Sequence, residues 1–303
     1  MNIMTRVLLM GLLFSFQAWA VEPDVQLTLT GEDQGTCLEC HGSGKVSAVL
    51  NTAHFVATDP YAPASKSACE SCHGPSREHT EFPREIANFH FGQDSKNTTE
   101  EQNGQCLNCH ENQNRTGWHA SEHEANDVGC ASCHQIHVSQ DKVLHESTQA
   151  EVCYSCHLEK KSGQLMRSRH PIREGKMSCG SCHNPHGSGG EHELIKLTTN
   201  DTCYECHAEK RGPYLYEHAP VVEDCAICHD AHGTPQPAML VERPPFLCQE
   251  CHSESFHPAY VPGSSDLPGG GGDYIGKLVS HSCLNCHQRV HGSNHPAGNI
   301  FTR

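Results

Sequence analysis

Apolar residues are continuous in only one part of this chain. Arg6 precedes an apolar run from Val7 to Phe16, and Ala18-Trp19-Ala20 follows with the small-residue spacing of a cleavage site. Residues 1–20 therefore read as a secretory signal peptide. The run is short for a membrane span of roughly 20 residues, which favours cleavage over anchoring. Beyond residue 20, proline, glycine and charged residues break every apolar stretch before it approaches a span. The 26 glycines and 17 prolines predict short helices joined by irregular segments. The fold expected is mainly α with extensive irregular coil and little or no β-sheet.

The chemistry lies in a motif that punctuates those segments. C-x-x-C-H occurs ten times and uses all 20 cysteines. The first five copies are Cys37/Cys40/His41, Cys69/Cys72/His73, Cys106/Cys109/His110, Cys130/Cys133/His134 and Cys153/Cys156/His157. The second five are Cys179/Cys182/His183, Cys203/Cys206/His207, Cys225/Cys228/His229, Cys248/Cys251/His252 and Cys283/Cys286/His287. Paired cysteines also serve zinc sites and disulfides, but neither needs a histidine directly after each pair. Sixteen histidines lie among the other 293 residues, so chance would put one after a given pair only about 5% of the time. C-x-x-C-H is the attachment motif of c-type haem. Its two thiols add to the vinyl groups of the porphyrin, and its histidine ligates the iron from one face. The count implies ten covalent haems, which makes electron transfer the default function. Haem attachment to this motif takes place outside the cytoplasm, in agreement with the export signal.

Composition then changes meaning. Without residues 1–20, 283 of the 303 residues remain, about 28 for each haem. At 36% hydrophobic and 6% aromatic residues, an ordinary core would be thin. The haems themselves should form the core, as an elongated chain under a thin peptide wrap, and the apo chain should be largely unfolded. Loss of Arg6 with the signal leaves 20 basic against 36 acidic residues, a net −16, to which the propionates add. That surface argues against nucleic acid and anionic lipid as partners and would suit basic redox partners or a sheltered docking cavity.

Histidines outside the motifs are ordered. Each odd-numbered motif is followed by a histidine, an even-numbered motif, and a further histidine close behind. The units run His54–motif–His79, His123–motif–His137, His170–motif–His186, His218–motif–His232 and His257–motif–His291. These five two-haem units form an internal repeat. Two extra histidines per unit give ten, the number of sixth ligands that ten bis-histidine haems require. The downstream histidines, in strings such as CHQIH, CHNPHG, CHDAHG and CHQRVHG, lie too close to their own attachment to reach the opposite face of the same ring. They should serve a neighbouring haem. His281 competes with His257, and His295 with His291. His90, His119, His145 and His192 stand outside the repeat, as surface residues or hydrogen-bonding partners of ligands.

Methionine is the usual alternative sixth ligand, but only Met166, Met177 and Met239 follow the signal. Predominantly bis-histidine ligation implies low potentials and saturated iron with no position for substrate. No motif has lysine in place of its histidine, a variant found in some multihaem reductases. The expectation is an electron carrier with no catalytic residues.

On these residues the chain resembles the decahaem cytochromes of the MtrA/DmsE/PioA type. The likeness is carried by CASCHQIHVSQD (130–141), DTCYECHAEKRGPYLYEHAP (201–220) and SCLNCHQRVHGSNHPAG (282–298), and by motif count and spacing over almost all of the mature chain. The resemblance implies two pentahaem halves, here residues 21–165 and 166–303. It implies a wire threaded through an outer-membrane β-barrel porin. A periplasmic electron-donor cytochrome would stand on one side and an extracellular multihaem cytochrome or terminal reductase on the other. The function expected is transfer of electrons between periplasm and cell exterior, for reduction of metals or other acceptors or for iron oxidation. A soluble periplasmic shuttle delivering electrons to a reductase would need the same haems, and a multihaem reductase is the third reading.

Overall fold

The computed structural model describes residues 32–84, 89–252, 283–296 and 298–301. The proposed signal peptide, His257 and its competitor His281 lie outside them.

Among the described residues there is no β-strand, and secondary structure consists of short α and 3-10 helices separated by turns and coil. The expectation of a mainly α, coil-rich chain holds. The longest helix, Thr99–His110, has twelve residues. Its start is a capping box: Thr98 accepts from the Glu101 N–H, and Glu101 accepts from the Thr98 N–H. Thr198 caps the helix Thr199–Tyr204 in the same way by accepting from the Asp201 N–H.

The two-motif unit has a recurring shape. Odd motifs sit on the C-terminal turn of a helix, as in Glu32–His41, Thr99–His110, Glu146–Cys153 and Thr199–Tyr204. Even motifs start in a single turn, as in Cys130–Cys133, Cys179–Ser181 and Cys225–Ile227. An amide on the odd helix holds the even turn in place. Asn103 Oδ1 accepts from the Cys130 N–H at 2.8 Å, Gln149 Oε1 from Gly180 at 2.7 Å, and Asn200 Oδ1 from Cys225 at 2.7 Å. Asn103 and Asn200 are buried, so these bonds are shielded from water. After the even motif the chain is pinned back by the isolated bridges His183–Leu194 and His229–Leu240.

Consecutive units meet backbone to backbone. Gly117 lies against Gly187, and Gly163 against Gly233; a Cβ on either member would strike the other strand of chain. Gly187 and Gly233 follow the downstream histidines directly and adopt φ of 93° and 123°. Side chains are excluded there twice over, by contact and by conformation. The bridges Ser168–Thr234 and Tyr216–Ser293 continue the same kind of joint.

Little of this is held by an ordinary apolar core. Among the described residues six hydrophobic side chains are buried, against ten polar ones. Val49, Phe55, Ala64 and Ala68 form a cluster in the first unit. Elsewhere the apolar side chains, Leu107, Val128, Val143, Leu194 and Leu240 among them, line one continuous cavity of about 5050 Å³.

Candidate haem-binding sites

All ten C-x-x-C-H motifs line that cavity. Shared among ten, its 5050 Å³ gives about 505 Å³ per motif, within the roughly 300–1,000 Å³ of a single small-molecule pocket.

Nine motif histidines each face one of the histidines singled out between motifs. The pairs are His41–His79, His54–His110, His73–His137, His123–His157, His134–His186, His170–His207, His183–His232, His218–His252 and His229–His291. Their ring centres are 6.0 to 6.4 Å apart. A metal–imidazole bond of about 2 Å plus about 1.1 Å from nitrogen to ring centre, taken on both sides, requires about 6.2 Å. The residues therefore fit an iron between each pair.

The pairing follows one rule. The upstream histidine of a unit faces the odd motif of the next unit, as His54 faces His110 and His123 faces His157. The downstream histidine faces the even motif of the preceding unit, as His137 faces His73 and His186 faces His134. Each joint thus exchanges two histidines reciprocally. The first unit has no predecessor, and its downstream His79 turns back to His41 of its own odd motif.

Hydrogen bonds orient these rings. His123 Nδ1 donates to the Pro185 carbonyl and His170 Nδ1 to the Ala231 carbonyl, both at 2.9 Å. Pro185 and Ala231 directly precede the downstream histidines of the next unit, so one hydrogen bond positions both exchanged histidines. Among even motifs, Nδ1 of His73, His183, His229 and His287 donates to the carbonyls of Phe89, His192, Ala238 and Ile300, at 2.6 to 2.9 Å. His134 differs: its Nδ1 lies 2.8 Å from Asp141 Oδ2. Burial pushes the pKa of His54, His110, His137, His186, His218, His232 and His291 down. Burial thus favours neutral imidazole, the form that binds metal.

Sulfur positions give the order of the motifs. Within a unit the first cysteines lie close enough to interact: Cys37 with Cys69, Cys106 with Cys130, Cys153 with Cys179, Cys203 with Cys225, and Cys248 with Cys283. Between units the second cysteines are near enough to interact electrostatically: Cys72 with Cys109, Cys133 with Cys156, Cys182 with Cys206, and Cys228 with Cys251. The motifs therefore adjoin one another in the order of the sequence.

The histidines outside the repeat face no motif histidine, although His90, His145 and His192 also line the cavity. His119 pairs with Glu124 at 2.9 Å. His90 approaches the Asp94 carbonyl at 3.4 Å, and His192 offers its own carbonyl to His183. The amides Asn103, Gln149 and Asn200 and the carboxylate of Asp141 were not singled out from the sequence. Their only signal there is position: Asn103 and Asn200 each stand three residues before an odd motif.

The sequence has known relatives. The family described as "Doubled CXXCH motif" matches residues 170–212 and 218–257, and that described as "Cytochrome c-type protein NrfB-like" matches 69–150. The multiheme cytochrome MtrA of Shewanella baltica (strain OS185) is 45% identical over 273 residues, covering 88% of this chain and 80% of that protein. The chain belongs to the MtrA family of multihaem cytochromes. The cytochrome binds haem c covalently and is an electron carrier. The cytochrome c-type protein NrfB of Escherichia coli O6:H1 is more distant, 28% identical over 174 residues, which cover 52% of this chain and 86% of that protein. The haem supplies one-electron interconversion of ferric and ferrous iron. The polypeptide of this cytochrome supplies the thiols, the imidazoles and the spacing.

Proposed function

We propose that the cytochrome is an electron conduit across the outer membrane, enclosed by a β-barrel porin. The observation that carries this reading is the unbroken adjacency of successive motifs, through the amide clamps within units and the facing histidines between them. Ten sites in sequence order suit directional passage over a distance, and a bilayer of roughly 40–45 Å is such a distance. Among the described residues no helix is long and apolar enough to cross a membrane. Backbone polar groups in a lipid environment need internal partners, so a coil-rich chain crosses only inside another protein. Residues 21–165 and 166–303 then carry five haems each, exported by the signal at residues 1–20. A periplasmic cytochrome at one end and an extracellular cytochrome or reductase at the other complete the route.

In this reading the distal ligands are His54, His79, His123, His137, His170, His186, His218, His232, His257 and His291. The exchange rule reflected to the C-terminal end assigns His257 to its own even motif, opposite His287. With both axial positions filled, the iron carries electrons without binding substrate.

The test is reconstitution of the cytochrome and its barrel in liposomes that enclose a redox dye. Reduction of the dye by an external donor, dependent on both proteins, is the expected result. Failure there, combined with efficient delivery by the free cytochrome to a soluble reductase, would replace the conduit with a periplasmic shuttle.

A further inference from the structure

The five even motif histidines all make an Nδ1 hydrogen bond, and one of the five bonds differs in kind. His73, His183, His229 and His287 face main-chain carbonyls. His134 faces the carboxylate of Asp141 at 2.8 Å. A carbonyl is a dipole, whereas a carboxylate carries a full charge and makes a stronger hydrogen bond. The Asp141 side chain is 11% exposed, which limits screening by solvent. It is also held in place: Oδ1 accepts from the Val143 N–H and caps the turn Lys142–Leu144. The neighbouring Lys142 ammonium is turned toward Glu151, at 3.3 Å.

A carboxylate on Nδ1 draws that proton toward itself and leaves more electron density on Nε2, the nitrogen that meets iron. A more basic axial ligand stabilises ferric over ferrous iron and lowers the potential. The ring facing His134 does not share the effect, since His186 Nδ1 is buried with no hydrogen-bond partner. We propose that Asp141 is the positioning residue that sets the potential of the fourth haem, holding it below the value that a main-chain carbonyl at the same place would give. This rests on the ligation of that haem by His134 and His186 given above.

The experiment is a spectroelectrochemical titration of the full decahaem protein carrying Asp141→Asn, with Asp141→Glu beside it. Asparagine keeps an acceptor oxygen and removes the charge. One of ten one-electron components should move to higher potential with the other nine unmoved, the low-spin signal of one haem should shift, and Asp141→Glu should restore both. An unchanged titration curve, or a shift of the whole curve, overturns the proposal. If Asp141→Asn loses haem, Asp141→Ser preserves a cap for Val143 and should show the same single shift. Haem loss in both variants would make Asp141 a structural post and also overturn the proposal. The ligation reading fails separately: His186→Ala would then leave every iron low-spin.

Discussion

His134 and His186 belong to consecutive units, yet their imidazoles lie nearly parallel, 11° apart in plane, with ring centres separated by 6.1 Å. The spacing matches the needs of an iron with two axial imidazoles. The same spacing, 6.0 to 6.3 Å, recurs across each joint between consecutive units, in both directions and at plane angles from 11° to 84°, so the histidines proposed to close the irons also join one unit to the next.

Removal of one exchanged ligand should therefore open one iron. His186→Ala and His232→Ala are each expected to give a high-spin ferric signal from about one tenth of the iron, together with carbon monoxide binding on reduction. Electron paramagnetic resonance of the purified protein measures this. His119→Ala, which removes a ring paired only with Glu124, should leave the spectrum low-spin throughout.

The amide clamps should govern stability without changing haem content. Asn200 Oδ1 holds the Cys225 N–H while its Nδ2 donates to the Val221 and Val222 carbonyls at 3.0 and 3.1 Å. Asn200→Ala leaves those groups unsatisfied in a shielded place and should cost about 1–3 kcal/mol. Asn103→Ala should act likewise in the second unit. Thermal unfolding followed by Soret circular dichroism gives the comparison.

Legibility in the sequence divides along the same lines. The thioether attachment demands a fixed local spacing, so the motif cysteines and histidines were readable directly. The histidines proposed as distal ligands stood out as a count and a rhythm, because every bis-histidine iron needs one. Their partners were not: His54 meets His110, and nothing local in either string specifies the other. Downstream histidines were expected to serve a neighbouring haem, and four of the five face the preceding unit, while His79 faces His41 within its own unit. Asn103 and Asp141 escaped notice because a polar residue on a short helix or turn has the same appearance whether it is solvated or buried against a neighbour. Gly187 and Gly233 stood in plain view at the ends of CHNPHG and CHDAHG, but a glycine declares a backbone need and not the strand that creates it.

Those glycines give a prediction with a change of sign built in. Gly233→Ala puts a methyl against the Gly163 carbonyl at a φ of 123°, and Gly187→Ala does the same against Gly117. Both should destabilise the joint beyond the roughly 1 kcal/mol of an ordinary glycine substitution and lower the yield of holoprotein. Gly104 lies within the helix Thr99–His110, with nothing within 4 Å of a Cβ built there. Gly104→Ala should stabilise by about 0.5–1 kcal/mol. Melting curves of the two kinds of variant should move in opposite directions.

The chain without haem should not hold this fold. Only six hydrophobic side chains are buried among the described residues, and four of them form a single cluster in the first unit. In the later units Val143, Leu194, Leu240 and other apolar side chains line the shared cavity. Production in the cytoplasm without the signal sequence, where the motifs stay unmodified, should yield far-ultraviolet circular dichroism of a mostly disordered chain and no cooperative melt. A residual structured fragment, if one survives proteolysis, should map to residues 46–73 around Phe55.

The two ends of the chain offer a last test of the exchange rule. An interior unit gives one histidine forward and one back, but an end unit has a neighbour on one side only. At the N-terminal end the unused histidine turns inward, and His79 meets His41 with ring centres 6.4 Å apart. The mirror-image closure at the C-terminal end assigns His257 to the tenth haem opposite His287, with His281 as its competitor. His257→Ala should therefore give a high-spin signal from about one tenth of the iron, while His281→Ala should leave all iron low-spin. The reverse result would move the assignment to His281 and show that the two ends close by different means. His79→Ala is the matching variant at the other end, and its signal should have the same amplitude. If neither end variant opened an iron while His186→Ala did, reciprocal exchange would hold only for the interior of the chain.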